Sequence, residues 1–350
     1  MQRTPGCTCP YSDSPTAHPA RALPRRAWLI KGVALAVAMT GACLASRPVL
    51  AADWPDKPVR VIVPFTAGGA TDSIARAVSQ RLGAIWKQSV VVENKPGAGG
   101  LVGAENVARA DPDGYTLLLA SGSMFTVNPF IYSSLPYSLK DFALISNVAT
   151  GPMVVAVNPK LPIKDLQGLV DYVKQRPGKV NFGSAGVGTQ THMAAEQLAD
   201  VAGLNAIHVP YKGESAAYAD LMASHIDFVV GNIAALAPLV SSGRVRGLAV
   251  TGPTRSPMLP DVPTAAEAGL PKLQSQGWFA LMAPAATPKD VVAKIQQGVN
   301  QALANTDTRR ALEAQGSNAT PSSPQQLAQT ISTESVMWKA VVSRRNLKAN

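Results

Sequence analysis

Three cysteines, four histidines and 5% aromatic residues in 350 leave little material for several kinds of chemistry. Cys7, Cys9 and Cys43 all precede Ala51. Any chain matured beyond that point has no thiol, no disulfide and no cysteine-bound metal. His192, His208 and His225 are the histidines of the remainder, and they form neither an H-E-x-x-H motif nor a close pair, so a zinc site has no sequence support. No G-x-x-x-x-G-K-[ST] occurs. The dinucleotide pattern G-x-G-x-x-G fails twice: from Gly97 its last position is Val102, and from Gly186 it is Thr191. No serine sits in a G-x-S-x-G elbow, which removes the usual support for an α/β hydrolase. Long charge runs, low-complexity tracts and fixed-period repeats are also missing. A basic stripe with interleaved aromatics is missing too, so nucleic acid is not an expected partner.

The chain is 46% hydrophobic and 15% charged, a globular composition long enough for two domains. Its first 52 residues read as a leader. Arg21, Arg25, Arg26 and Lys31 precede the apolar run "GVALAVAMTGACLA", and Val49 and Ala51 follow as small residues at an A-x-A-like cleavage site. The apolar run is too short to span a membrane comfortably. "PRRAW" loosely matches a twin-arginine leader, which leaves the export route open. Cys43 lacks the leucine expected three residues before a lipidation cysteine, since Thr40 stands there. The leader holds six of the 32 Lys and Arg and one of the 22 Asp and Glu; 26 basic and 21 acidic residues remain, so the net charge of +10 falls to about +5.

Beyond the leader, short β-rich runs alternate with amphipathic helices. The expected strands are 59–64, 89–93, 116–120, 154–157, 180–182, 206–208, 228–231 and 247–250. The expected helices are 72–85, 101–109, 163–174, 189–201, 215–223, 233–241, 264–268, 289–304 and 324–344. Ile74, Ala77, Val78, Leu82 and Ile85 line one face of the first helix. Such alternation predicts parallel sheets covered on both faces. Two apolar runs flanked by Gly and Pro, near residues 146–159 and 276–288, read as crossings between domains. They give a discontinuous first domain, 53–152 and 277–350, and a second domain, 153–276.

Three strand-to-helix turns are rich in glycine: "PFTAGGATD", "NKPGAGGLVGAE" and "GSAGVGTQTHMAAE". Parallel sheets bring such turns to the carboxyl ends of their strands, where ligands bind. A glycine turn opening a helix offers backbone N–H groups and the positive end of the helix dipole to an anion. It also serves simply to let the chain turn tightly. Asp72, in the first turn of its helix, would repel an anion directly but can accept from loop N–H groups, a water or a ligand ammonium. His192 follows a glycine loop as a candidate ligand contact. His208 and His225 read as structural. Lys212 in "YKGE" is the one cation on a plausible cleft loop.

Five motifs taken in order, "WPDKPVRVIVPFTAGGATDSIAR", "VENKPGAGGLVGAENVARADPDGYTLL", "HVPYKG", "RSPMLPDVPTAAEAGLP" and "GWFALMAPAATP", follow the leader. Through them nearly the whole mature chain resembles the Bug family, the extracytoplasmic solute receptors of tripartite tricarboxylate transporters. The resemblance implies an α/β fold: a two-domain periplasmic binding protein, type II-like, each domain a mostly parallel sheet flanked by helices, closing over its ligand as a flytrap. It implies a small organic carboxylate as ligand, no catalysis, no cofactor and no metal. It implies a monomer whose partners are membrane transporter subunits or the ectodomain of a sensor. The ligand residues it implies are Phe65, Thr66, Ala67, Gly68, Gly69 and Asp72 in the first glycine loop. In the second domain they are Ser184, Gly188, Thr189, Thr191 and His192. Ser121 and Ser123, Tyr211 with Lys212, and Asn232 complete the set. Many relatives carry Asp-Asn where this chain has Gly231-Asn232, and losing that acid argues against an amino-acid ligand. The expectation is a ligand carboxylate on the Gly68-Gly69 turn and the ligand's other end on the 184–191 loop. Two other readings stand beside it: a ligand sensor for a signalling partner, and an exported α/β hydrolase or lyase using His192 with a serine.

Overall fold

The computed structural model describes residues 54–349. The leader, with its three cysteines and cleavage site, lies outside the described residues.

In chain order the elements are β1 (Val59–Val63), α1 (Ala70–Trp86), β2 (Val90–Asn94), α2 (Leu101–Ala108) and β3 (Thr116–Ser121). Two short helices follow, α3 (Ser123–Thr126) and α4 (Asn128–Ile131), then β4 (Phe142–Val157), α5 (Leu166–Lys174), β5 (Asn181–Ser184) and α6 (Gln190–Ala202). Next come β6 (Ile207–Pro210), α7 (Glu214–Ala223), β7 (Phe228–Asn232), α8 (Ile233–Ser241) and β8 (Arg246–Val250). The chain ends with β9 (Gln276–Pro284), α9 (Lys289–Ala304), α10 (Thr306–Glu313), β10 (Asn318–Ala319) and α11 (Pro324–Arg345).

The strands run in the order β2-β1-β3-β9-β4-β7-β5-β6, with β8 and β10 added on β4. The expected parallel pairs exist: β1 with β2 and β3, and β5 with β6 and β7. The centre is antiparallel, because β9 pairs with both β3 and β4, and β4 pairs with β7 and β8. The sheet is therefore mixed rather than mostly parallel. The two runs read as crossings are themselves long strands. β4 pairs with β9 from Phe142 to Pro152 and with β7 and β8 from Met153 onward.

Alternation along the strands shows why both faces are covered. In β1, Val61 and Val63 enter the core beneath α1 and α9, while Ile62 enters the opposite core beneath α2. Leu117 and Leu119 split from Leu118 and Ala120 in the same way. In β4, Met153, Val155 and Val157 pack towards α5 and α6, and Val154 and Ala156 towards α7 and α8. Residues 264–268 form one turn rather than the expected helix. Ala268 N–H reaches Thr264 O at 3.0 Å, and Gly269, at φ 89°, ends the turn there.

Candidate functional site

β1 delivers the chain into the first glycine turn, and α1 starts immediately after Gly69. Gly69 has no side chain to cap the helix, so the N–H groups of the first turn depend on partners from elsewhere. β5 delivers the chain into the other turn, where Thr189 caps α6 by accepting from His192 N–H. The two helix starts face one cavity. Its walls are Phe65, Thr66, Gly69, Ala70, Thr71, Ser121 and Phe279 on one side and Ala185, Thr189, Gln190, Thr191, Glu214 and Asn232 on the other. The walls stand close, around a cavity of about 20 Å³. Hydrogen bonds run directly between the two sides. Gln190 Nε2 donates to Trp278 O at 2.8 Å, Tyr132 Oη to Val187 O at 3.2 Å and Ser215 Oγ to Ala67 O at 3.5 Å.

Seven of the expected ligand residues line this cavity: Phe65, Thr66, Gly69, Ser121, Thr189, Thr191 and Asn232. Ala67, Gly68 and Asp72 do not. Asp72 accepts from Gly68 N–H at 3.0 Å, from Asn94 Nδ2 at 2.9 Å, and from Arg76 through two nitrogens. Burial works against its charge, but these donors hold the carboxyl below the usual aspartate value. Asp72 thus shapes the loop and takes up one of its N–H groups. Ser184 and Gly188 brace the opposite loop: Ser184 Oγ bonds Gly186 and His208 Nε2, and Gly188 N–H donates to His192 Nδ1 at 3.2 Å. That bond leaves His192 Nε2 to carry the ring proton, facing Glu196 Oε1 at 3.7 Å. Ser123 lies beside a second small cavity with Gln190 and Trp338, its hydroxyl without a partner. Tyr211 Oη donates to Asp220 at 2.6 Å, and Lys212, on the same turn, is exposed and outside the cavity.

The sequence reading missed Ala70, Thr71, Ala185, Gln190, Glu214 and Phe279. The most consequential is Glu214, the first residue of α7. A glutamate there reads simply as a charge suited to a helix start. In the structure it brings to the cavity an acid that the reading of Gly231-Asn232 did not take into account. Its carboxyl takes hydrogen bonds from Asn232 Nδ2, from Tyr218 Oη at 3.0 Å and from Ala70 N–H. Burial nevertheless pushes it up to about 7. Among the described residues, no Lys, Arg or His lines the cavity.

A family model described as the tripartite tricarboxylate transporter family receptor matches residues 74–347. The chain belongs to that receptor family. Three solved structures of similar proteins agree with the fold. The periplasmic binding protein BugD is 31% identical, with a TM-score of 0.81, covering 85% of this chain and 100% of its own. Rpa4515 of R. palustris, solved with adipate, is 32% identical, with a TM-score of 0.80, covering 83% of this chain and 98% of its own. MatC of Rhodopseudomonas palustris, with bound malate, is 31% identical, with a TM-score of 0.79, covering 83% of this chain and 100% of its own.

Behind the second loop of this receptor lies an aromatic stack. The rings of His192 and His208 are 3.9 Å apart, and Phe182 stacks on His208 at 5.0 Å. Burial first, and the neighbouring His192 second, push His208 down to about 3. The unfolded chain takes up that proton near pH 6.5, so between 6.5 and 3 it binds more protons than the folded one. His208 therefore makes the receptor less stable as pH falls through that window, by at most about 1.4 kcal/mol per pH unit. Glu214 titrates with the opposite sign between 7 and 4.5, because its folded value is raised. The informative quantity is the difference between wild type and His208→Gln. Urea unfolding from pH 7 to 5 should show that difference shrinking with acidification; a constant difference excludes a half-buried His208 held neutral.

Proposed function

We propose that this chain is an extracytoplasmic receptor that holds a small organic carboxylate between the starts of α1 and α6. The observation that carries this reading is the meeting of two helix N-termini in one cavity with Thr66, Thr71, Ser121 and Thr191 around them. Backbone N–H groups and hydroxyls there bind an anion without a side-chain cation. The adipate and malate in similar receptors support the same ligand class. In this reading the lobes divide as 53–152 with 277–350, and 153–276, and the ligand's contacts to both select the closed arrangement. Phe65, Thr66, Gly69, Ser121, Thr189, Thr191 and Asn232 contact ligand directly. Asp72, Ser184, Gly188 and His192 hold the loops that do. The receptor works in the periplasm, delivers its ligand unchanged, and hands the closed form to membrane subunits of a tripartite transporter.

Thermal unfolding of the purified protein against a panel of organic acids tests this. A ligand at about 100 times its Kd adds about 2.7 kcal/mol of stability, a rise of several degrees at this size. Recovery of the intact acid after incubation separates a receptor from an enzyme. Turnover of the ligand, or no stabilisation by any carboxylate in protein shown by mass spectrometry to carry none already, would overturn the reading.

A further inference from the structure

Glu214 is held in place by residues from several segments. At Gly213 a Cβ would lie 3.1 Å from Thr66 Cβ and 3.3 Å from its Cγ2, so glycine lets the start of α7 come against the first loop. At Gly231 a Cβ would run into the Tyr218 hydroxyl, the group that donates to Glu214. Asn232 and Ala70 supply two further donors, one from each side of the cavity. A carboxylate has about four acceptor sites, and three are filled. A second acceptor stands on the same wall. Gln190 Nε2 is committed to Trp278 O, which fixes the amide orientation and leaves Oε1 buried without a donor.

The cavity therefore has a fixed acid and, among the described residues, no side-chain cation in its lining, with an unpartnered amide oxygen on a residue of the same wall. One N–H of the α1 start already serves the Glu214 carboxylate, as a ligand carboxylate would be served. We propose that Glu214 sets the charge class of the ligand: a small monocarboxylate bearing a hydrogen-bond donor, hydroxyl or ammonium, at its far end, and not a dicarboxylate. This rests on the carboxylate-receptor reading and narrows it. A second ligand carboxylate would meet Glu214 directly, and like charges in one enclosed site raise each other's cost of ionisation. The titratable group facing Glu214 is Tyr218 of its own helix; Asn232 and Ala70, from the elements packed against it, are uncharged.

Isothermal titration of the purified protein with length-matched acids tests the proposal: succinate against 4-hydroxybutyrate and 4-aminobutyrate, and adipate against 6-hydroxyhexanoate and 6-aminohexanoate. In at least one length set the wild type should bind a donor-bearing monocarboxylate at least about tenfold more tightly than the dicarboxylate. Which of the two wins tells hydroxyl from ammonium. Glu214→Gln should narrow or reverse that preference. Should the variant fail to fold, wild type alone decides: in two buffers of different ionisation enthalpy at pH 7, the preferred ligand should release protons as it draws Glu214 into its charged form. Preference for a dicarboxylate with proton uptake overturns this proposal and leaves the receptor reading intact. Failure of wild type and variant to bind any carboxylate overturns both.

Discussion

Gly213→Val weakens ligand binding about 100-fold while changing the unfolding midpoint of the ligand-free protein little. The reason lies in the approach of α7 to the first glycine loop. Gly213 has φ 167°, extended backbone that any residue adopts, so valine brings no backbone strain. Its side chain would instead occupy the place of the Thr66 hydroxyl, with Thr66 Cβ and Cγ2 close behind. Rotating one threonine does not clear that space. Overpacking of this kind costs about 1–3 kcal/mol. The cost falls on the arrangement in which both sides of the cavity meet, because Thr66 and Gly213 come from opposite walls. At about 1.4 kcal/mol per factor of ten, 1–3 kcal/mol is roughly 5- to 150-fold in affinity. Glu214 and its hydrogen bond to Ala70 N–H move with α7, which adds to the loss. Calorimetric affinity and ligand-free thermal unfolding of the same variant read the two effects separately. Near-normal affinity would mean that the two loops need not meet for binding. Thr66→Gly in the same chain should restore part of the affinity.

Glu196→Ala destabilises the fold by about 2–4 kcal/mol, at roughly 2–4 °C of midpoint per kcal/mol. Glu196 is 4% exposed on α6 and receives a hydrogen bond from Arg345 Nε at 2.8 Å, at the end of α11. Burial alone would raise its pKa, but His192 and Arg345 hold it below the usual glutamate value. A depressed carboxyl contributes stability above its unfolded value near 4.5 and loses it as the pH falls through the folded value. Alanine removes the acid and leaves a partly buried guanidinium without its partner. Replacing both members with apolar residues, Glu196→Met with Arg345→Leu, should recover most of the loss, since a buried pair contributes little over well-packed hydrocarbon. Equal destabilisation by the single and double variants would show that the helix contact, rather than the unpaired charge, sets the cost. Chemical unfolding at pH 7 makes the comparison.

The elements flanking the cavity were largely legible in the sequence. Apolar periodicity places α1 to within two residues, and glycine marks both turns as sites of close approach. Two things were not legible. β4 and β9 are apolar over most of their length, so they show no clean alternation, and nothing local gives their extent or their antiparallel pairing. The orientation of side chains at the glycine loops was equally hidden. Asp72, His192 and Ser184 are polar residues of the right type beside the right turn, yet each bonds its own loop. Glu214 bonds across the cavity because a helix start, Tyr218 and Gly231 all converge there. Spacing in one chain does not encode that convergence between distant segments.

The position of β9 also bears on how the chain is made. This strand lies between β3 and β4, which are complete by Val157, whereas β9 begins only at Gln276. During synthesis, more than a hundred residues separate the two banks of the gap from the strand that fills it. A chain stopped before Gln276 presents two adjacent apolar strand edges with nothing between them, the arrangement that recruits strands from other molecules. Pairings this distant also slow folding, because the loop must close before its contacts form. The sheet of such a chain closes only after Gln276 and the strand it begins have been made.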